Sequence, residues 1–252
     1  MARLEGKRAL VTGGSEGIGR AIATAFIAEG AEVVIAALDD QHLAATASFL
    51  GCAAIPMDLG SVEEVESTLR EAVGQLGGLD ILVNNAAVMS PSKTVEATSL
   101  DELQRLLDVN LRGSFWMMRC AHAYLNANRG CVLNISSMAG VVGQTDHAAY
   151  AMTKGGLNAL TKSAAADWGA DRIRVNALCP TGVWTGALRR WAAEQSNPDE
   201  IDTYLNRIHV LGYCPEADEI SPAAVFLCSE EARFITGHIL HISGGSEVGY
   251  KL

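Results

Sequence analysis

The chain has 252 residues, 49% of them apolar and 19% charged, which is enough apolar surface for a sizeable core and far from the composition of a disordered chain. Acidic residues outnumber basic ones 29 to 19, a formal net charge of −10, so the basic field that would neutralise nucleic-acid phosphates or anionic lipid has no source, and neither partner is expected. Residues 1–7 are charged at Arg3, Glu5 and Lys7 and no stretch approaches the roughly 18 apolar residues of a membrane span, so neither a secretory leader nor an anchor is expected.

In chain order, residues 8–12 read as a short strand, followed by glycines and a helical pattern of Ile18, Ile22, Ala25 and Phe26 that ends at Gly30. Residues 32–37 are a second strand, 40–50 a helix, and 53–57 a strand. Residues 61–75 form a helix whose entry, Ser61-x-x-Glu64, has the spacing of a capping box. Strand 79–83, helix 100–126, strand 131–135, helix 148–168 and strand 174–178 continue the alternation. The strand runs are continuously apolar, as in a parallel sheet covered by helices on both faces, and no linker or repeat interrupts them. Residues 1–252 are therefore expected to form one doubly wound α/β domain. Residues 185–207 break the rhythm with Trp184, Arg189, Arg190, Trp191 and the Asn197-Pro198 step, and are expected to be a lid over a site at the carboxyl ends of the strands.

The first strand runs straight into Thr12-Gly13-Gly14-Ser15-Glu16-Gly17-Ile18-Gly19 and then a helix. Gly13 permits a tight turn, Gly17 lets backbone approach a diphosphate, and Gly19 allows close helix packing, with the anion at the helix N-terminus. Tyr150 and Lys154 are i, i+4 on one helix face, where they form either a surface pair or a proton-transfer pair in which the ammonium lowers the phenol pKa. Ser137 follows an apolar strand and reads either as a loop cap or as a group that holds a substrate oxygen. The six cysteines, Cys52, Cys120, Cys131, Cys179, Cys214 and Cys228, are dispersed. They read as reduced thiols of a cytoplasmic protein and give no metal-ligand spacing, nor do His238 and His241.

These motifs together resemble the short-chain dehydrogenase/reductase family, whose TGxxxGxG, NNAG and YxxxK signatures are matched by residues 12–19, Asn84-Asn85-Ala86-Ala87 and Tyr150 to Lys154. Asn110, in Val109-Asn110-Leu111, and Ser137, in Ile135-Ser136-Ser137, fall at family spacing. The resemblance, which spans essentially the whole chain, implies a Rossmann-type domain and a catalytic set of Asn110, Ser137, Tyr150 and Lys154. In that set Tyr150 is the acid/base, Ser137 positions the substrate oxygen, Lys154 binds the nicotinamide ribose, and Asn110 holds a water on a proton route. It further implies cofactor contacts from Gly13, Ser15, Glu16, Gly17, Ile18, Gly19, Leu38, Asp58, Leu59, Asn85, Ala86, Tyr150, Lys154, Pro180, Val183 and Thr185. Thr181 stands where the family's PGxVxT has glycine.

The cofactor is expected to be NAD, with NADP as the alternative. Ala37 and Leu38 fit neither the acidic pattern of NAD users nor the basic one of NADP users, while Glu16, Asp39 and Asp40 would repel an extra phosphate. Met89, Ser137, Gln144, His147, Tyr150, Trp184 and Trp191 are the expected substrate contacts, and the polar ones among them favour a small polyhydroxylated alcohol, sugar or sugar-derived acid. The alternatives are an NADP-dependent reductase of a more apolar or cyclic ketone, which the tryptophans favour, and a dinucleotide sensor without chemistry. The resemblance also implies a homotetramer built on the helices at 100–126 and 148–168, with residues 242–252 free to reach a neighbour.

Overall fold

The computed structural model describes residues 2–38, 41–89, 92–195 and 197–248. Asp39, Asp40 and the last four residues of the expected C-terminal reach lie outside them. Seven strands form one sheet: β1 (Arg8–Thr12), β2 (Glu32–Ala37), β3 (Ala53–Pro56), β4 (Ile81–Asn84), β5 (Cys131–Ile135), β6 (Arg174–Pro180) and β7 (Ile239–Ile242). Their order is β3-β2-β1-β4-β5-β6-β7, and every pairing is parallel. Strand order reverses between β1 and β4, the topological switch point at which such sheets open a crevice.

The helices are α1 (Gly17–Ala28), α2 (Gln41–Leu50), α3 (Val62–Leu76), α4 (Leu100–Leu107), α5 (Ser114–Asn128), α6 (Ala148–Asp167), α7 (Gly186–Ala193), α8 (Pro198–Arg207) and α9 (Ser221–Cys228). Alternate strand residues enter two cores. Ala9, Val11, Val33, Ile35, Ile81 and Val83 pack beneath Ile22 and Phe26 of α1 and Ala224 and Val225 of α9. Leu10, Val34, Leu82 and Val132 face Leu69 of α3, Met117 and Leu125 of α5, and Ala164 of α6. Both faces of the inner strands are dry, which is why polar residues do not alternate there in the sequence, whereas the edge strands β3 and β7 are partly exposed. Burying each large side chain stabilises the fold by about 1.5–3 kcal/mol.

Three local expectations are corrected. Ser61 does cap α3, accepting the Glu64 N–H at 3.3 Å, but the Glu64 carboxylate accepts from the Asp58 N–H instead of closing a box. Complete capping boxes lie at Ser99 and Glu102, at the start of α4, and at Glu216 and Glu219. The single helix expected over residues 100–126 is two helices joined by a π-helical turn, Asp108–Gly113. Helix α9 is an additional element, opened by a proline in its first turn.

Candidate active site

The site begins with the turn between β1 and α1. Gly13 and Gly17 have φ of +63° and +57°, a left-handed backbone that favours glycine. A Cβ on Gly13 would stand 2.7 Å from Asn85 Nδ2, and one on Gly19 would stand 2.1 Å from the Gly13 carbonyl oxygen. Asn85 fixes the turn by donating to the carbonyls of Thr12 and Gly13 at 2.9 and 3.0 Å. The Thr12 hydroxyl accepts from the backbone N–H groups of Asn85 and Ala86 at 3.0 and 3.1 Å and donates to the Val83 carbonyl. The loop after β4 is thereby tied to the glycine turn. Glu16 precedes α1 but makes no side-chain cap. It forms an ion pair with Arg190 of α7 at 2.9 Å, so its charge is compensated locally, which weakens the repulsion of an extra phosphate expected of it.

A cleft of about 720 Å³ opens over this turn, a volume in the range of small-molecule and cofactor sites. Of the expected cofactor residues, Gly13, Ser15, Glu16, Gly17, Ile18, Leu38, Asp58, Leu59, Asn85, Ala86 and Thr185 line it. Gly19 lies behind the turn, against Gly13, Pro180 is buried at the end of β6, and Val183 is in the core beside α9. Thr185 accepts the Leu188 N–H and so starts α7 at the rim. Val88, Asp101, Gln104, Arg105, Asp108 and Val109 also line the cleft and were not expected. The loop after β4 brings Val88 there and helix α4 and the π turn bring the others, and strand-and-glycine patterning carries no signal for that placement. The unobstructed cradle and the cleft above it fit an extended dinucleotide whose diphosphate lies at the α1 N-terminus.

Asn110 lies in the π turn and is buried. Its side chain accepts from the Val88 N–H at 2.8 Å and donates to the Val88 carbonyl at 2.9 Å, with a longer contact to Thr153 Oγ1 at 3.4 Å. The amide is thus committed to clamping the loop after β4, and any role toward solvent falls to its backbone. Ser137 ends the segment after β5 in an extended conformation and accepts the Ala139 N–H at 3.2 Å. Its side chain acts on Tyr150, lowering the pKa of the phenol. Lys154 is buried, donates to the Ile135 carbonyl at 2.8 Å, and has its Nζ 5.7 Å from the Tyr150 ring centroid.

In the protein without ligands the tyrosine pKa is raised, opposite in direction to the expected depression. Burial pushes the Tyr150 phenol up to about 12, against the opposing effect of Ser137. Burial likewise draws the Lys154 ammonium down to about 8. Desolvation disfavours both charged forms, and Lys154 gives one of its three donors to a backbone carbonyl.

The expected substrate contacts are spread around this pair. Met89 is exposed, Gln144 is exposed, and His147 is half-buried at the start of α6 with its ring Nδ1 2.9 Å from the Thr145 carbonyl. The Trp184 N–H donates to the Pro215 carbonyl, and its ring lies under the Arg189 guanidinium at 4.9 Å, while Arg189 pairs with Glu216. Trp191 is half-buried on α7. Thr181, in place of glycine, keeps an ordinary backbone and shares a hydrogen bond with Ser246 at 2.9 Å.

A parallel sheet with a glycine cradle at its switch point, and a serine, tyrosine and lysine gathered beside it, defines a dinucleotide-dependent enzyme. Comparison with known proteins gives the particular family. The family described as enoyl-(acyl carrier protein) reductase is matched over residues 13–247. The L-fucose dehydrogenase of Mus musculus is 38% identical over 251 residues, covering 99% of this chain and 92% of that protein. The 2,5-dichloro-2,5-cyclohexadiene-1,4-diol dehydrogenase of Sphingobium indicum is 36% identical, covering 97% and 98%, and the meso-2,3-butanediol dehydrogenase of Serratia marcescens is 32% identical, covering 97% and 96%. Among solved structures, levodione reductase superposes with a TM-score of 0.94 at 26% identity, covering 98% of this chain and 100% of that one. The chain belongs to the short-chain dehydrogenase/reductase family and is an oxidoreductase that uses a nicotinamide cofactor on an alcohol or its ketone.

Proposed function

We propose that the chain interconverts a secondary alcohol and a ketone in a small polyhydroxylated compound, a sugar, polyol or sugar-derived acid, with NAD as the preferred cofactor. The observation that carries the chemistry is Lys154 Nζ 5.7 Å from the Tyr150 ring on one helix face, with Ser137 acting on the phenol. The substrate class is supported by relatives named for a sugar, a butanediol and a cyclohexadienediol.

In this reading Gly13, Ser15, Gly17, Ile18 and Gly19 hold the diphosphate. Glu16, Leu38, Asp58 and Leu59 flank the adenosine end, Asn85 and Ala86 shape the middle, and Pro180, Val183 and Thr185 form the nicotinamide end. The cofactor supplies the hydride acceptor or donor. Tyr150 holds the proton that moves to or from the substrate oxygen, Ser137 fixes that oxygen, and Lys154 binds the ribose and gives the phenolate a cation to face. Asn110 keeps the loop after β4 against the π turn. The helices over residues 185–207 serve as the lid. The preference for NAD is supported by the cleft lining, in which Asp58 and Asp101 stand with the base Arg105, while Glu16 and Asp108 are paired with Arg190 and Arg112.

Turnover with NAD and with NADP over a panel of sugars, polyols and hydroxy acids tests this reading. Reduced NAD should form with at least one polyol or sugar, and Tyr150→Phe should abolish it. No reduced cofactor from any member would leave a dinucleotide sensor standing. An apolar cyclic ketone is the second reading, favoured by the exposed Met89, Val141 and Val142 beside the site, and activity confined to such ketones would select it. A homotetramer is supported by Phe115 of α5 and Met152 of α6, which stand 49% and 48% exposed. Light scattering at micromolar concentration tests it, and a monomer would refute it. A cytoplasmic location is supported by six cysteines that are all free thiols.

A further inference from the structure

Tyr150, Lys154 and Asn158 are spaced i, i+4, i+8 along α6 and so form one stripe on that helix. The first two belong to the chemistry already described, while Asn158 is absent from it. Asn158 is 8% exposed, and both ends of its amide are occupied. Nδ2 donates to the Gly140 carbonyl at 3.1 Å, and Oδ1 accepts from the Cys179 thiol at 3.6 Å. Cys179 is fully buried at the end of β6. Desolvation raises its pKa, which keeps the sulfur protonated and a donor. With a carbonyl to accept from Nδ2 and a thiol to donate to Oδ1, the two partners together fix which way the amide points.

Gly140 closes the short 3₁₀ turn Met138–Gly140 that follows Ser137. Its N–H donates to the Ser137 carbonyl at 2.9 Å, and the Ala139 N–H donates to the Ser137 hydroxyl at 3.2 Å. The turn is pressed onto α6: a Cβ on Gly140 would stand 2.6 Å from the Lys154 carbonyl carbon. One helical turn earlier, the Ser136 hydroxyl donates to the Lys154 carbonyl at 3.1 Å. The segment that presents Ser137 is therefore stitched to the helix that presents Tyr150 at two successive levels, and Asn158 makes the outer stitch.

We propose that Asn158 is a positioning residue for this active site, holding the 3₁₀ turn against α6 so that the Ser137 hydroxyl stays in register with the Tyr150 phenol. The inference rests on the reading of Ser137 and Tyr150 as the groups that meet the substrate oxygen. An amide clamp at this distance touches neither cofactor nor substrate, so its loss should be felt in turnover and not in binding.

Asn158→Ala should lower kcat about tenfold to hundredfold, the scale of a misplacement near 1 Å at a reacting group, while KM for cofactor and cofactor affinity by fluorescence titration stay within about twofold. The decisive measurement is the double variant. If Asn158 acts through Ser137, Asn158→Ala should cost little further in a Ser137→Ala background, because the group it positions is gone. A full, undiminished loss in that background, or a wild-type kcat for Asn158→Ala, would overturn the proposal. If the alanine variant fails to fold, Asn158→Ser, which keeps a small polar group but cannot reach Gly140, carries the same test. Wild-type turnover in Ser137→Ala and Tyr150→Phe would instead bring down the catalytic reading on which the inference rests.

Discussion

At the scale of single residues, the site is governed by desolvation. Tyr150 sits where its phenolate is poorly solvated, and Lys154, which the i, i+4 spacing brings close, directs its ammonium to the Ile135 carbonyl. The helix periodicity places the two side chains on one face, but it holds no information on where a four-carbon stem will aim its charge. With the phenol pKa raised to about 12, the protein without ligands carries Tyr150 protonated throughout the neutral range. The sign is that of an acid whose charged form is disfavoured: the proton is held to higher pH than the usual value of about 10. The wild-type minus Tyr150→Phe difference in tyrosinate absorbance should therefore remain flat from about pH 7 to 10. A rise within that interval would show that the phenol is not desolvated. A protonated phenol is ready to donate during ketone reduction and must lose its proton before alcohol oxidation. Initial rates should accordingly climb with pH in the oxidative direction, about tenfold per unit below the controlling pKa, and fall with pH in the reductive one.

At the scale of elements, the π turn matters most. It inserts one extra residue into what the sequence presents as an uninterrupted helix, and so aims Asn110 at the backbone of Val88 while bringing Arg105, Asp108 and Val109 to the cleft. Asn110→Ala would leave the half-buried N–H and C=O of Val88 without their Asn110 partners, a loss of about 1–3 kcal/mol in urea unfolding. Because Val88 lines the cleft, weaker cofactor binding should accompany it. An unchanged affinity in a destabilised variant would confine Asn110 to the fold. The same element shows where the sequence stops being legible. Strands β1, β2 and β5 are readable residue for residue, because strands dry on both faces are unbroken apolar runs between turn residues, and the glycine turn is readable because its left-handed positions admit little else. Residues 100–126 give no sign of the π turn, since an Asn inside a helix has no unique backbone consequence. Helix α9 is apolar almost all round, so it lacks the amphipathic period that marks a surface helix. The residues of α4 reach the cleft through tertiary packing that no local pattern encodes.

At the scale of the whole molecule, the net charge of −10 has to be resolved into where the charges stand. Glu16, which on sequence grounds repels a second phosphate, is paired with Arg190. Asp108 is likewise paired, with Arg112 at 2.9 Å, so the acidity of the cleft is carried chiefly by Asp58 and Asp101 against Arg105. If cofactor choice depends on this field, NADP should bind more weakly than NAD, and the difference should shrink as salt rises. At about 0.01 M ionic strength the screening length is about 30 Å, so the whole cleft acts on a 2′-phosphate, whereas at about 1 M it falls to about 3 Å and only contacts remain. Glu16→Gln adds a second lever. It removes one negative charge and releases the Arg190 guanidinium, which is 59% exposed in its pair, to meet a phosphate. NADP affinity should rise in that variant while NAD affinity holds. The exposed pair contributes little to stability, so the melting temperature should hardly move, and a change in selectivity can be assigned to charge. A preference for NAD that is indifferent to both salt and Glu16→Gln would place the discrimination in the shape of the pocket around Ala37 and Leu38 and not in electrostatics.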